Sequence, residues 1–227
     1  MLKGDTVTRD ILADLIRNAV DETVIQQTAR GAQEPAVTSK IAVRLEQQLN
    51  GLGILDRKIT VIAQEFTDRG PGSQEKRAGA DLFIAIRVED SEATISKGLL
   101  IQAKWSGGSK SKAEQKKLLQ QCNDMLKRTT SAGAFVWLYG SDGVDVVPAC
   151  ELTARPNGNP ETLTQRNVAQ QFRDVLDCFQ GDPDNAPDMI FSDPFALRGY
   201  MADIAARTGV AITLGARSGE FAERTRG

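Results

Sequence analysis

The chain has 227 residues, of which 41% are hydrophobic, a formal net charge of −2 and an isoelectric point near 5.4. That is enough apolar material for one domain of ordinary size, but no apolar run nears the roughly 20 residues needed to cross a membrane. There is no histidine, which excludes Ser-His-Asp and Cys-His catalysis, HNH nucleases and imidazole-based zinc sites, so any hydrolysis must rest on carboxylates, lysine and a bound metal.

The N-terminus, M-L-K-G-D-T-V-T-R-D, lacks the apolar core of a signal peptide, and a cytoplasmic location is expected. Cys122, Cys150 and Cys178 form no C-x-x-C pair and read as buried free thiols of a cytosolic protein. The acidic balance argues against a general nucleic-acid coat and leaves room for a local basic patch.

Residues 6–30 read as a long packing or dimerisation helix capped by Thr6 or Thr8, with Ile11, Leu12, Leu15, Ile16, Ala19, Val20 and Val24 at helical spacing. A second helix is expected over 37–50, opened by Thr38 or Ser39 and closed by Gly51 and Gly53, with Glu46 beside its apolar stripe. Residues 59–66 read as a strand that carries Glu65 near its end. A polar loop with Gly70, Pro71 and Gly72 follows, in which Arg69, Lys76 and Arg77 are candidate substrate contacts or parts of a plain connector.

From Gly79 to Trp105 two apolar runs flank the charged stretch Glu89, Asp90, Ser91 and Glu92, the pattern of an antiparallel hairpin. Centring the turn between Ser91 and Glu92 sets Asp81 opposite Gln102. Lys104 then projects from the same face, because side chains alternate along a strand. The opposite face, Leu82, Ile84, Ile86, Leu99 and Ile101, reads as core. An acid, an amide oxygen and an amine thus converge at one hairpin end, a set suited to a divalent metal and a water aimed at a phosphate.

After a Gly-Ser turn, a helix is expected over 113–128, burying Leu118, Leu119, Cys122, Met125 and Leu126. Lys110, Lys112, Lys116 and Lys117 cluster with Lys104 around the single acid Glu114, a reversal of sign that suits phosphate tracking or a solvated helix start. Gln115 and Gln120 are secondary candidates for lining the site. Strands are expected over 134–139 and 144–148. Helices are expected over 163–180, burying Phe179, and over 194–208, with Phe195, Leu197, Tyr200, Met201 and Ile204. The tail from Ser218 reads as polar and unstructured.

At Asp81 and Gln102-Ala103-Lys104 the chain resembles the PD-(D/E)XK, or restriction-endonuclease-like, nuclease superfamily, in the Q-x-K variant of Mrr-type enzymes and related defence nucleases. The resemblance covers roughly residues 36–150, and it departs from the family pattern in Ala80 and in Gln102 for Glu. It implies an α/β fold with an αβββαβ core, a mixed central sheet flanked by helices, and extra N- and C-terminal helices. The expected organisation is one domain: a helical extension over 1–35, the catalytic core over 36–150, and helical elements with a polar tail over 151–227.

The resemblance further implies a Mg²⁺-dependent deoxyribonuclease, with Mn²⁺ able to substitute. Asp81, Gln102, the Ala103 carbonyl and Glu46 would serve as metal ligands, Lys104 as the residue that activates water, and Glu65 as a reserve ligand. Gln in place of Glu lowers the formal charge by one, and weak, millimolar-type metal binding is expected. DNA is the expected substrate, in restriction or anti-phage defence or in repair, with a sensor subunit or a second copy as possible partner. The rivals are a catalytically silent nuclease fold that binds DNA or a partner, and an unrelated α/β protein in which Gln102 and Lys104 are ordinary sheet residues.

Overall fold

The computed structural model describes residues 1–66, 80–90, 93–108, 111–155 and 159–217. The polar loop carrying Arg69, Lys76 and Arg77, the turn residues Ser91 and Glu92, Lys110 and the tail from Ser218 lie outside them.

Helix α1, Thr6–Thr28, is capped by Asp5, not by either threonine; the Asp5 carboxylate accepts from the Thr8 amide at 3.2 Å. Helix α2, Glu34–Leu49, starts three residues earlier than expected. Pro35 presets the helical φ in the first turn. Thr38, expected as a cap, lies inside the helix and bonds back to the Glu34 carbonyl at 3.0 Å. The two-residue strand β1, Gly53–Ile54, turns into β2, Arg57–Glu65.

Strands β3, Ala80–Glu89, and β4, Thr94–Trp105, pair antiparallel in the register read from the sequence, with Leu82 facing Ile101 and Glu89 facing Thr94. Helix α3, Lys112–Leu126, opens with a capping box in which Ser111 and Glu114 satisfy each other's amides. Strands β5, Ala134–Gly140, and β6, Gly143–Pro148, form an antiparallel pair, and β4 runs parallel to β5.

Past Pro148 the structure departs from the expected run of helices. A five-residue helix α4, Ala149–Thr153, is followed by the short strand β7, Arg166–Asn167, which pairs with β6. The helix expected over 163–180 is confined to α5, Val168–Leu176, because Asn167 and Gln170 form a capping box at its start. Phe179 lies beyond its end and is 67% exposed. Helix α6, Pro194–Asp203, leaves Phe195 84% exposed and stops five residues short of 208. Ala205 turns with φ +54°, and the chain re-enters the sheet as β8, Ala206–Leu214.

Strand β8 is an interior strand of the sheet, paired on both sides. The eight-stranded mixed sheet has the order β1-β2-β8-β3-β4-β5-β6-β7, with β8 antiparallel to β2 and parallel to β3. Gly209 permits this position: a Cβ there would come within 2.5 Å of the Met201 sulfur on α6. Helices α1, α2 and α5 cover one face, over Leu82, Ile84, Ile86, Leu99, Ile101 and Trp137. Helices α3, α4 and α6 cover the other, over Phe83, Ala85, Leu100, Val136 and Leu138. Among the described residues no helix is long and apolar enough to cross a membrane.

Candidate active site

The β3–β4 register carries Asp81 level with Gln102, and alternation sets Lys104 two residues on along the same face. The Gln102 side-chain amide donates to Asp81 Oδ2, which also accepts from the Ala103 backbone N–H at 3.0 Å. The same Gln102 Nε2 lies 3.3 Å from the Ala103 carbonyl oxygen. Gln102 is 1% exposed, and its Oε1 is buried with no hydrogen-bond partner. A buried orphan carbonyl oxygen is a costly arrangement that a cation or a proton donor relieves.

Burial pushes the Asp81 carboxyl above the ordinary aspartate range. The Lys104 cation, the Ala103 N–H and the Arg207 cation pull it back, and the Glu34 carboxylate adds to the rise. Asp81 is therefore an acid held in a poorly solvated place with incomplete compensation. That is how a metal ligand looks without its metal, and also how a buried structural acid looks.

Lys104 is held by a residue that the sequence reading did not select. Glu34, the first residue of α2, accepts from Lys104 Nζ at 3.2 Å through Oε2 and from the Trp105 backbone N–H at 2.8 Å through Oε1. Both side chains of the pair are largely covered. The contact fastens the start of α2 to the end of β4. Thr38, one turn further along α2, shares a 2.9 Å hydrogen bond with the buried Tyr139 hydroxyl on β5.

Glu46, expected to approach from the same helix, lies twelve residues further along it. Its Oε1 accepts from the Ala63 amide of β2 at 3.0 Å, so it clamps the helix to that strand. Glu65 is closer to Asp81 in setting. It accepts from the Ser39 hydroxyl at 2.5 Å and shares with Asp81 the lining of a cleft of about 400 Å³. The cleft lies between the start of α2 and the ends of β2, β3 and β8, and Lys40, Arg207 and Thr208 also line it.

Of the basic cluster, Lys112, Lys116 and Lys117 are exposed along the first half of α3, and none lines this cleft. Lys104 lies near the same helix start. Hydrogen bonds from Ser111 hold the Glu114 carboxyl below its usual range, and the Lys104 charge adds to that effect. Gln115 is half-buried, and Gln120 turns along the helix to donate to Asp124. Of the three free cysteines only Cys122 is buried, where desolvation pushes its thiol up to about 12; Cys150 is half-buried and Cys178 is exposed, so the expectation of three buried thiols does not hold.

Among the described residues no group of three or more histidine, cysteine, aspartate or glutamate side chains is spaced to hold a metal ion. The Asp81 carboxylate and the Ala103 carbonyl both face Gln102 Nε2, so the orphan Gln102 Oε1 joins them as a third oxygen of a mixed set only when the side-chain amide is turned over. Hard divalent cations accept such mixed oxygen sets, so the donor chemistry fits Mg²⁺. Comparison with known protein families, with curated proteins and with solved structures finds no match.

Proposed function

We propose that the protein is a divalent-metal-dependent deoxyribonuclease that hydrolyses phosphodiester bonds at Asp81, Gln102 and Lys104, with Glu34 positioning the lysine. The observation that carries this reading is the cluster, at adjacent strand ends beside a cleft, of a buried carboxylate, a buried glutamine whose amide donates to it while its own oxygen has no partner, and a lysine fixed by a second carboxylate. The order α2-β2-β3-β4-α3-β5 supports a restriction-endonuclease-like core. Strand β8, set between β2 and β3, is an addition to that order.

On this reading Mg²⁺, or Mn²⁺ as a substitute, would be held by Asp81, the Ala103 carbonyl and, with its amide turned over, Gln102 Oε1, with Glu65 lining the same cleft. A divalent metal held there would supply a more acidic water and positive charge against the phosphate. Lys104 directs its ammonium at the oxygen where charge accumulates. Glu34 keeps that ammonium pointed, and its second oxygen ties the pair to the β4 backbone. The cellular role this reading favours is restriction or anti-phage degradation of DNA, with a sensor subunit as partner and repair as the alternative role.

One observation favours a silent relative that binds DNA without cutting it. The Gln102 amide already donates to Asp81, and Lys104 is already paired, so part of the site is satisfied without any ligand. Incubating supercoiled and linear DNA with the protein in Mg²⁺ or Mn²⁺ separates the two readings. Metal-dependent cleavage that disappears in Lys104→Ala supports the enzyme, and binding without cleavage by the wild type supports the silent relative.

A further inference from the structure

The C-terminal strand β8 reaches the middle of the sheet from more than 100 residues beyond the hairpin, and it delivers a cation to the candidate site. Ala80 pairs with Ala206 and Leu82 with Thr208 in parallel register, so Arg207 lies level with Asp81 on the neighbouring strand. Its backbone is fixed on the other side as well, where the Phe66 amide donates to the Arg207 carbonyl at 3.0 Å. The side chain is half-buried and lines the cleft together with Ser39, Lys40, Glu65, Asp81 and Thr208.

We propose that Arg207 grips a phosphate of the DNA strand in this cleft, an inference that rests on the deoxyribonuclease reading above. A guanidinium presents paired donors in a rigid fork that matches two phosphate oxygens. Carried on a paired strand instead of a loop, it is positioned before the substrate arrives. Without a cation here, an anionic strand would meet Glu65 and Asp81 in the same cleft and be repelled. Lys40 on α2 lines the cleft too, but its ammonium donates to Gln27 on α1, so the phosphate contact is assigned to Arg207. The exposed α3 lysines remain outside the cleft, so their role is confined to flanking phosphates.

The test uses full-length Lys104→Ala protein in Ca²⁺, so that a fluorescein-labelled DNA duplex is bound without being cut, and reads affinity by anisotropy over a range of salt concentrations. Adding Arg207→Gln is expected to weaken binding roughly tenfold to a hundredfold, the usual worth of one charge-assisted contact. It also flattens the log-log salt slope by about 0.9, the loss of one phosphate contact. Adding Arg207→Lys instead keeps the charge, so the slope stays and affinity falls only severalfold; this variant carries the test if thermal melting shows Arg207→Gln unfolded.

Unchanged affinity and slope in a folded Arg207→Gln protein overturns the inference while the deoxyribonuclease reading stands. So does a slope that falls only when Lys112, Lys116 and Lys117 are changed together to alanine. If the Lys104→Ala protein binds no duplex and the wild type cuts none, the parent reading fails and the inference falls with it.

Discussion

Gln102→Glu is the substitution that most directly interrogates the site as metal-binding, because it creates the usual acidic pair in a place that is 1% exposed. In the absence of metal the new carboxylate faces Asp81, which Gln102 now contacts through a donor. Two carboxylates about 4 Å apart repel by roughly 4 kcal/mol at an effective dielectric constant near 20. The alternative is to hold the new glutamate neutral. At pH 7, against an ordinary value near 4.3, that costs about 1.4 kcal/mol for each intervening pH unit, again roughly 4 kcal/mol.

The folded-state pKa of the new acid is thus raised above its unfolded value, and the penalty grows as pH rises between the two. In EDTA the variant is expected to fall below wild type by about 1 kcal/mol at pH 5 and by roughly 4 kcal/mol at pH 7. The latter corresponds to about 10 °C in melting temperature for a chain of this size. Saturating Mg²⁺ should recover most of the loss, since a ligand at a hundred times its Kd adds about 2.7 kcal/mol. Thermal melts at the two pH values, with and without Mg²⁺, read all four quantities. A penalty independent of both pH and metal, or no penalty at all at pH 7 in EDTA, refutes the contact and the cation-binding role assigned to it.

Asp81→Asn should be as stable as wild type or more so at pH 7. The raised folded-state pKa of Asp81 means that its stabilising contribution is complete below the unfolded carboxylate value and is lost as pH rises, so chemical denaturation should show the variant gaining on wild type from pH 4 upward. Asp182 behaves oppositely: burial raises its carboxyl, but hydrogen bonds from the Thr130 amide, the Thr129 hydroxyl, the Asp184 amide and the Asn185 side chain outweigh it and hold the group below the ordinary range. Asp182→Ala should cost about 3–5 kcal/mol by urea unfolding at pH 7, as loss of a buried network does, and the wild-type advantage should shrink as pH falls below about 4. Gly98→Ala sets a Cβ 2.1 Å from the Asn185 carbonyl oxygen and should cost about 3 kcal/mol; because Gly98 also exchanges backbone hydrogen bonds with Asp182, the double variant should lose less than the sum.

The hairpin was readable in the sequence because strand alternation is strict. Once a charged turn is placed, the pairing of Asp81 with Gln102 follows; that the Asp81 face is core as well does not, for Phe83, Ala85 and Leu100 on it are as buried as Leu82, Ile84 and Ile86. Glu34 escaped notice because Glu-Pro ahead of an apolar stripe looks like loop; a proline in the first helical turn was the available signal. Glu46 had the better helical spacing, but a helix stripe reports what the helix packs on, and here it packs on β2. Strand β8 was unreadable for a different reason. A central strand buried on both faces has no alternation, Gly209 interrupts its β-branched character, and its partners lie more than 100 residues away. Arg207 was lost with it. Phe179 and Phe195 looked like core because apolar spacing cannot show where a helix stops, and a turn at Cys178 with φ +68° decided it for the first.

The central claim, hydrolysis of DNA at this site, is tested most directly by single-turnover cleavage of a labelled duplex in Mg²⁺ by wild type, Asp81→Asn, Lys104→Ala and Glu34→Gln, each first shown to be folded by thermal melting. Cleavage by the wild type that vanishes in EDTA is predicted, with losses of at least a hundredfold in the Asp81 and Lys104 variants, the scale of one lost electrostatic or acid–base group. Glu34→Gln should retain partial activity, since it frees the lysine without removing it. Cleavage that persists undiminished in Lys104→Ala, or no cleavage by the wild type under any of these conditions, contradicts the account.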